Sequence, residues 1–176
     1  DNPRGPAWRA RTAARLAGCL PADEQALLEA ELAFQADQDF TDLPRGVVHA
    51  DLFRDNILWD GDHIGGVIDF YFAGHDALLY DVAVTVNDWC VDHDGELIAS
   101  RAAALLDAYG AERPFVAAEH RAWSAMLRAA ALRFWLSRAE DKYLPKPGEM
   151  VLVHDPSRFR DILRLRIRRA YPLPLH

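Results

Sequence analysis

The stretch "VVHADLFRDNILWDGDHIGGVIDF", residues 47 to 70, constrains this chain more than any other. Within it, two apolar runs flank Asp60-Gly61, and such a pair supplies the positive φ that a tight antiparallel turn demands. A β-hairpin is therefore expected. An isolated two-stranded hairpin is at best marginally stable in water, so it is expected to pack against a helix. Its polar ends, which carry His49, Asp51, Asn56 and Asp69, then become a candidate site.

The sequence around the hairpin reads as helical. Residues 7 to 37 are rich in Ala, Leu, Arg and Glu and break at "LPADEQ", which predicts two helices, the second capped by Asp23. "TDLPRG" ends that pattern, and the apolar "VVHADL" predicts a short buried strand or bridge running into a loop. After the turn-like "FAGHD", Leu79, Val82, Ala83, Val86 and Cys90 recur at helical spacing and predict a buried helix. Two more amphipathic helices are expected over residues 97 to 109 and 116 to 142, the second carrying Trp123, Met126, Leu127, Ala130 and Phe134. Prolines in "YLPKPGE" stop it. A basic helix with a solvated face is expected at about 156 to 170. The fold class is α+β and mostly helical, with one small hairpin inserted, in a single domain.

Composition narrows the function. The 176 residues suffice for one domain with its own core, and 51% hydrophobic with 27% charged residues is the balance of a folded globular protein. A net charge of −7 argues against nucleic acid, whose phosphates require a basic face. No apolar run reaches the roughly 18 to 20 residues of a spanning helix. The two cysteines, Cys19 and Cys90, lie far apart and are expected as buried thiols of a cytoplasmic protein. A small-molecule partner fits best.

The candidate residues are oxygen donors. Hard oxygen ligands without cysteine suit Mg²⁺, which takes one or two protein ligands and fills its remaining positions with water and substrate phosphates. Asn56 and Asp69 form such a pair. Asp51 is then left to accept a proton from an attacking hydroxyl and to orient it toward phosphorus.

"HADLFRDN" followed by "IDF" resembles the catalytic loop and metal-binding Asp of protein-kinase-like phosphotransferases, and more narrowly the aminoglycoside and choline kinase branch. "IDFYFAGHDALLYDVAVTVNDWC", "RPFVAAE", "AALRFWLSR" and "KPGE" are similar to the homoserine kinases of that branch, and the likeness runs from about Asn2 to Ile167. The resemblance implies the C-terminal lobe of a protein-kinase-like fold. Asp51 matches the catalytic base, Asn56 and Asp69 the metal ligands, His49 the loop histidine that props the catalytic turn, and Asp81 a buried support of that loop. It implies ATP and Mg²⁺ as cofactors and phosphorylation of L-homoserine on the way to threonine. Arg54, Tyr71, Asp88, Trp89 and Arg133 are candidates for substrate contact.

A kinase of this branch also needs a lobe that holds the nucleotide phosphates. The two lysines, Lys142 and Lys146, lie in a proline-broken segment, and Gly65-Gly66, the one adjacent glycine pair, falls inside the hairpin. The N-terminal nucleotide-binding lobe is therefore expected to lie upstream, and this chain to be a fragment with little activity alone. Choline or an aminoglycoside as substrate, a non-catalytic binding module, and a metal phosphohydrolase built on His75-Asp76, His93-Asp94 and His154-Asp155 are the rival readings.

Overall fold

The computed structural model describes residues 1–145 and 154–174. Lys146 and the "KPGE" segment lie outside the described residues. Among the described residues, six α-helices and four short strands follow one another in the order α1 (Pro6–Leu16), α2 (Ala22–Ala36), β1 (Arg45–Val48), β2 (Ile57–Asp60), β3 (His63–Val67), β4 (Gly74–Ala77), α3 (Leu78–Trp89), α4 (Ala99–Glu112), α5 (Ala117–Tyr143) and α6 (Ser157–Arg168). The α+β, mostly helical class expected from the sequence is what the chain adopts.

Helix α5 is the axis of the molecule. Its 27 residues contain neither Gly nor Pro, and its alanines let neighbouring helices approach closely. Trp123, Leu127, Leu132, Trp135 and Leu136 are all buried along it, against Leu79, Val82, Ala83 and Val86 of α3 and Phe159, Ile162 and Leu163 of α6. Fully burying each such side chain contributes about 1.5–3 kcal/mol before entropy is set against it. Glu31 of α2 is also buried, and its carboxylate takes a two-nitrogen grip from Arg128 of α5, with Nη2 at 2.6 Å and Nε at 3.1 Å.

The basic face expected on α6 is largely engaged. Arg160 donates to Glu24 (2.6 Å), Arg164 to Asp23 (2.8 Å), and the buried Arg166 to Asn87 (3.0 Å), whose amide in turn donates to the carbonyl of Leu127 (2.8 Å). Asp23 therefore does not cap α2, which follows Pro21; it sits in the first turn and faces Arg164 instead. Cys19 is exposed rather than buried, because α1 ends before it, whereas Cys90 is buried behind α3.

The strands form two antiparallel pairs. Strand β1 pairs with β4, Val47 opposite His75, so the "FAGHD" segment read as a turn contains a strand. Nothing in "GHDA" signals β structure; the pairing is a main-chain one, closed where the Leu78 N–H donates to the Pro44 carbonyl at 2.9 Å. Strands β2 and β3 are the expected hairpin. Asp60 pairs with His63, leaving Gly61-Asp62 as a two-residue loop with Gly61 at φ +60°, the handedness that suits twisted strands. The expected packing of the hairpin on a helix is slight. Ile57 is buried, but Leu58, Trp59, Ile64 and Val67 are 37–59% exposed, and Trp59 reaches α3 through a ring contact with Trp89 at 6.4 Å.

Candidate active site

Between β1 and β2 the chain turns sharply through residues 49 to 56. Ala50 there has φ +63°, a left-handed conformation that costs an L residue roughly 1–2 kcal/mol. The first turn of α3 supplies the compensation. Asp81 accepts the His49 N–H at 2.6 Å and the Ala50 N–H at 2.7 Å, one on each carboxylate oxygen. Burial raises the proton affinity of this carboxyl, and the two amide bonds pull it back part of the way. The buried His49 ring donates from Nε2 to the carbonyl of Ile68 (2.9 Å), which ties the loop to the end of the hairpin.

Asp51 follows at once. Its carboxyl is held above the usual aspartate range, first by burial and further by the charge of Asp69, while Arg133 and His49 oppose the shift. Arg133, on α5, places Nη1 3.7 Å from Asp51 Oδ1. This guanidinium is 3% exposed, packs over the rings of Phe134 (3.9 Å) and Phe72 (4.9 Å), and has no hydrogen-bond partner at Nε or Nη2 among the described residues. A carboxylate with raised proton affinity beside a fixed cation is suited to accept a proton near neutral pH.

Asn56 donates its amide to the carbonyl of Asp51 at 2.7 Å, so its oxygen is the end of the carboxamide suited to a cation. Its own carbonyl accepts the Ile68 N–H at 3.0 Å. Ile68 thus ties down both ends of the loop, and the next residue is Asp69. Asp69 is the second non-glycine residue with positive φ, at +62°, and it opens a 3-10 turn, Phe70–Phe72. Backbone strain held at the two ends of one oxygen-donor constellation is a mark of functional sites. Asn56 and Asp69 are hard donors of the sort Mg²⁺ prefers. Among the described residues, no group of three His, Cys, Asp or Glu side chains converges.

The remaining candidates are dispersed around this centre. Arg54 donates from its backbone N–H (3.0 Å) and from Nε (3.3 Å) to Asp88 Oδ2, so the two form one ion pair. Trp89 donates its indole N–H to the carbonyl of Leu52 at 3.1 Å. Tyr71 projects from the 3-10 turn and is 85% exposed. Sequence reasoning missed the tie through Ile68 and the strain at Ala50; alanine carries no sign of left-handed backbone, which glycine or asparagine would have advertised.

No helix among the described residues is long and apolar enough to cross a membrane. The family model described as "Phosphotransferase enzyme family" matches residues 1–115. The chain is 56% identical over 164 residues to a homoserine kinase of Methylobacillus flagellatus, an alignment covering 93% of this chain and 51% of that protein. It is 53% identical over 176 residues to a homoserine kinase of Janthinobacterium sp. (strain Marseille), covering 97% and 55%, and 50% identical over 163 residues to one of Methylobacillus glycogenes, covering 93% and 51%. The chain spans about half the length of the curated relatives it matches. A match across most of the chain, centred on a strained loop with an aspartate at its apex, leaves one conclusion: the chain belongs to the phosphotransferase enzyme family.

Proposed function

We propose that this chain is the catalytic-loop lobe of an ATP-dependent kinase that phosphorylates a small alcohol, with L-homoserine as substrate and O-phospho-L-homoserine as product. The observation that carries this reading is Asp51: a partly buried carboxyl with raised proton affinity, on a loop whose two preceding amides Asp81 holds. The names of the relatives support the substrate.

In this reading Asp51 takes the hydroxyl proton and aims the oxygen in line with phosphorus. Arg133, behind the base rather than open to solvent, acts on Asp51: its charge opposes the upward pull of burial on the carboxyl's proton affinity. Asn56 and Asp69 hold Mg²⁺, which when bound neutralises charge on the nucleotide phosphates. His49 and Asp81 fix the loop. The Arg54–Asp88 pair, Tyr71 and Trp89 are the candidates for substrate contact. The contacts to the rest of ATP come from a nucleotide-binding lobe outside this chain, and the exposed apolar residues of the hairpin face it.

The test is Mg-ATP-dependent ADP release by the full-length protein with L-homoserine, choline or an aminoglycoside, and with Asp51→Asn as control. Turnover with homoserine that Asp51→Asn abolishes is the expected result. Equal silence with all three withdraws the substrate, and undiminished turnover by Asp51→Asn withdraws the assignment of the base.

A further inference from the structure

A substrate that bears a carboxylate needs a cation within reach of Asp51, and the arginines near that residue are not equally placed to supply one. Arg54 is tied to Asp88. Arg133 is buried behind the base, against Phe134 and Phe72. Arg138 differs from both. It lies one turn beyond Phe134 on α5, is half-buried rather than sealed in the core, and makes no ion pair or hydrogen bond through its guanidinium among the described residues.

Aromatic packing fixes Arg138 beside the catalytic loop. Its guanidinium lies 4.6 Å from the ring centre of Phe159, which is fully buried near the start of α6. Phe159 stacks on Phe53 at 5.7 Å, and the Phe53 N–H donates to the carbonyl of Asp51 at 2.8 Å. Asp51 and Asp88 both act on the charge of Arg138, and Arg138 in turn lowers the proton affinity of Asp51. Yet these carboxylates form their ion pairs with Arg133 and Arg54. The charge of Arg138 is therefore held next to the base without being neutralised by it. Arg133 and Arg158, the latter in the first turn of α6, act on Arg138 in the opposite sense, and together with burial they lower its proton affinity. Like charges gathered in a partly desolvated place are unfavourable until an anion joins them. The planar fork of a guanidinium matches a carboxylate.

We propose that Arg138 holds the carboxylate of the substrate while Asp51 receives its hydroxyl, so that the two residues together select a short hydroxy acid. This rests on the kinase reading and adds to it the residue that sets specificity. Choline, which carries an ammonium and no carboxylate, gains nothing from Arg138 and is repelled by its charge.

The test uses the full-length protein in the presence of Mg-ADP, with L-homoserine beside its carboxamide, which keeps the hydroxyl and the amine but lacks the negative charge. In isothermal titration the parent should favour the acid by roughly 10- to 100-fold, the range of a charge-assisted hydrogen bond. Arg138→Met should erase that preference and bind the amide as the parent does. In the turnover assay the same variant should raise KM for homoserine by the factor lost in titration and leave kcat little changed, the mark of a contact made equally in ground and transition states. Arg138→Gln, which keeps a polar head, decides the matter if the methionine variant unfolds. Equal affinity of the parent for acid and amide, binding of neither, a preference that survives both variants, or a loss of acid and amide alike overturns the proposal. Absence of turnover alongside an acid preference that requires Arg138 sinks the kinase reading and leaves this one. Turnover of homoserine that depends on Asp51, with KM the same in Arg138→Met, does the reverse.

Discussion

At the scale of single residues, the site sets two carboxylates against their surroundings. Asp51 is raised by burial, so its deprotonated form is lost on acidification at a higher pH than for an ordinary aspartate near 3.9. The acid limb of the pH–rate profile should therefore lie above that value, and Asp51→Asn should remove it together with about 10²–10⁴-fold of kcat. Stability runs the other way. A carboxyl whose folded pKa is raised contributes stability that is present below the unfolded pKa and is lost as pH rises through the folded one. At neutral pH the ionised Asp51 is thus a liability, and the neutral asparagine should melt no lower than the parent in a thermal scan. A fall of several degrees would show that the Arg133 pairing outweighs burial. Asp81 behaves differently, since it is the acceptor for two amides. Asp81→Ala should cost roughly 2–6 kcal/mol in denaturant titration, at about 1–3 kcal/mol for each of the two unpaired amides, and should lower kcat as Ala50 relaxes from its left-handed conformation.

At the scale of elements, apolar periodicity made the helices legible. The buried face of α3 and the stripe of α5 were evident from spacing, because one helical face must enter the core and the 3.6-residue repeat records which one. The hairpin was legible for a comparable reason, as glycine at a two-residue loop is a chemical necessity. Strand β4 and the engagement of α6 were not, since both depend on partners distant in sequence: β4 on the backbone of β1, and Arg160, Arg164 and Arg166 on Glu24, Asp23 and Asn87. The site divides in the same way. Asp51, Asn56 and Asp69 stand in a local pattern, whereas the tie through Ile68 and the burial of Arg133 exist only after folding. One glycine tests how α6 is seated. Gly95 has φ +87° in the turn before α4, and a Cβ there would lie 2.7 Å from Cγ1 of the buried Ile162. Gly95→Ala combines backbone strain with a clash and should cost about 2–4 kcal/mol in urea titration; a change under about 0.5 kcal/mol, the range of surface substitutions, would mean that α6 shifts freely.

At the scale of the whole molecule, the core is complete but the hairpin is open. Leu58, Trp59, Ile64, Ile68, Phe70 and Tyr71 are all 42% exposed or more, and large exposed apolar patches ordinarily mark a surface that another body covers. Under the proposed function that body is the nucleotide lobe. The 176-residue chain alone should then turn over at least ~10³-fold more slowly than the full-length protein, since phosphoryl transfer depends on positioning the nucleotide. It should also enhance the fluorescence of an apolar dye that the longer protein leaves dark. Equal rates would refute the division of labour between the two halves. The tryptophans carry a further consequence. Trp123 and Trp135 lie in the dry interior of α5, while Trp89 gives its indole proton to Leu52, the neighbour of Asp51, and lies 6.4 Å from Trp59 on the hairpin. The loop therefore has an optical label of its own. A ligand that displaces Leu52 alters the hydrogen bond of one indole and its distance to another, so occupancy of the site can be followed in the native emission spectrum while the two buried rings provide a constant reference.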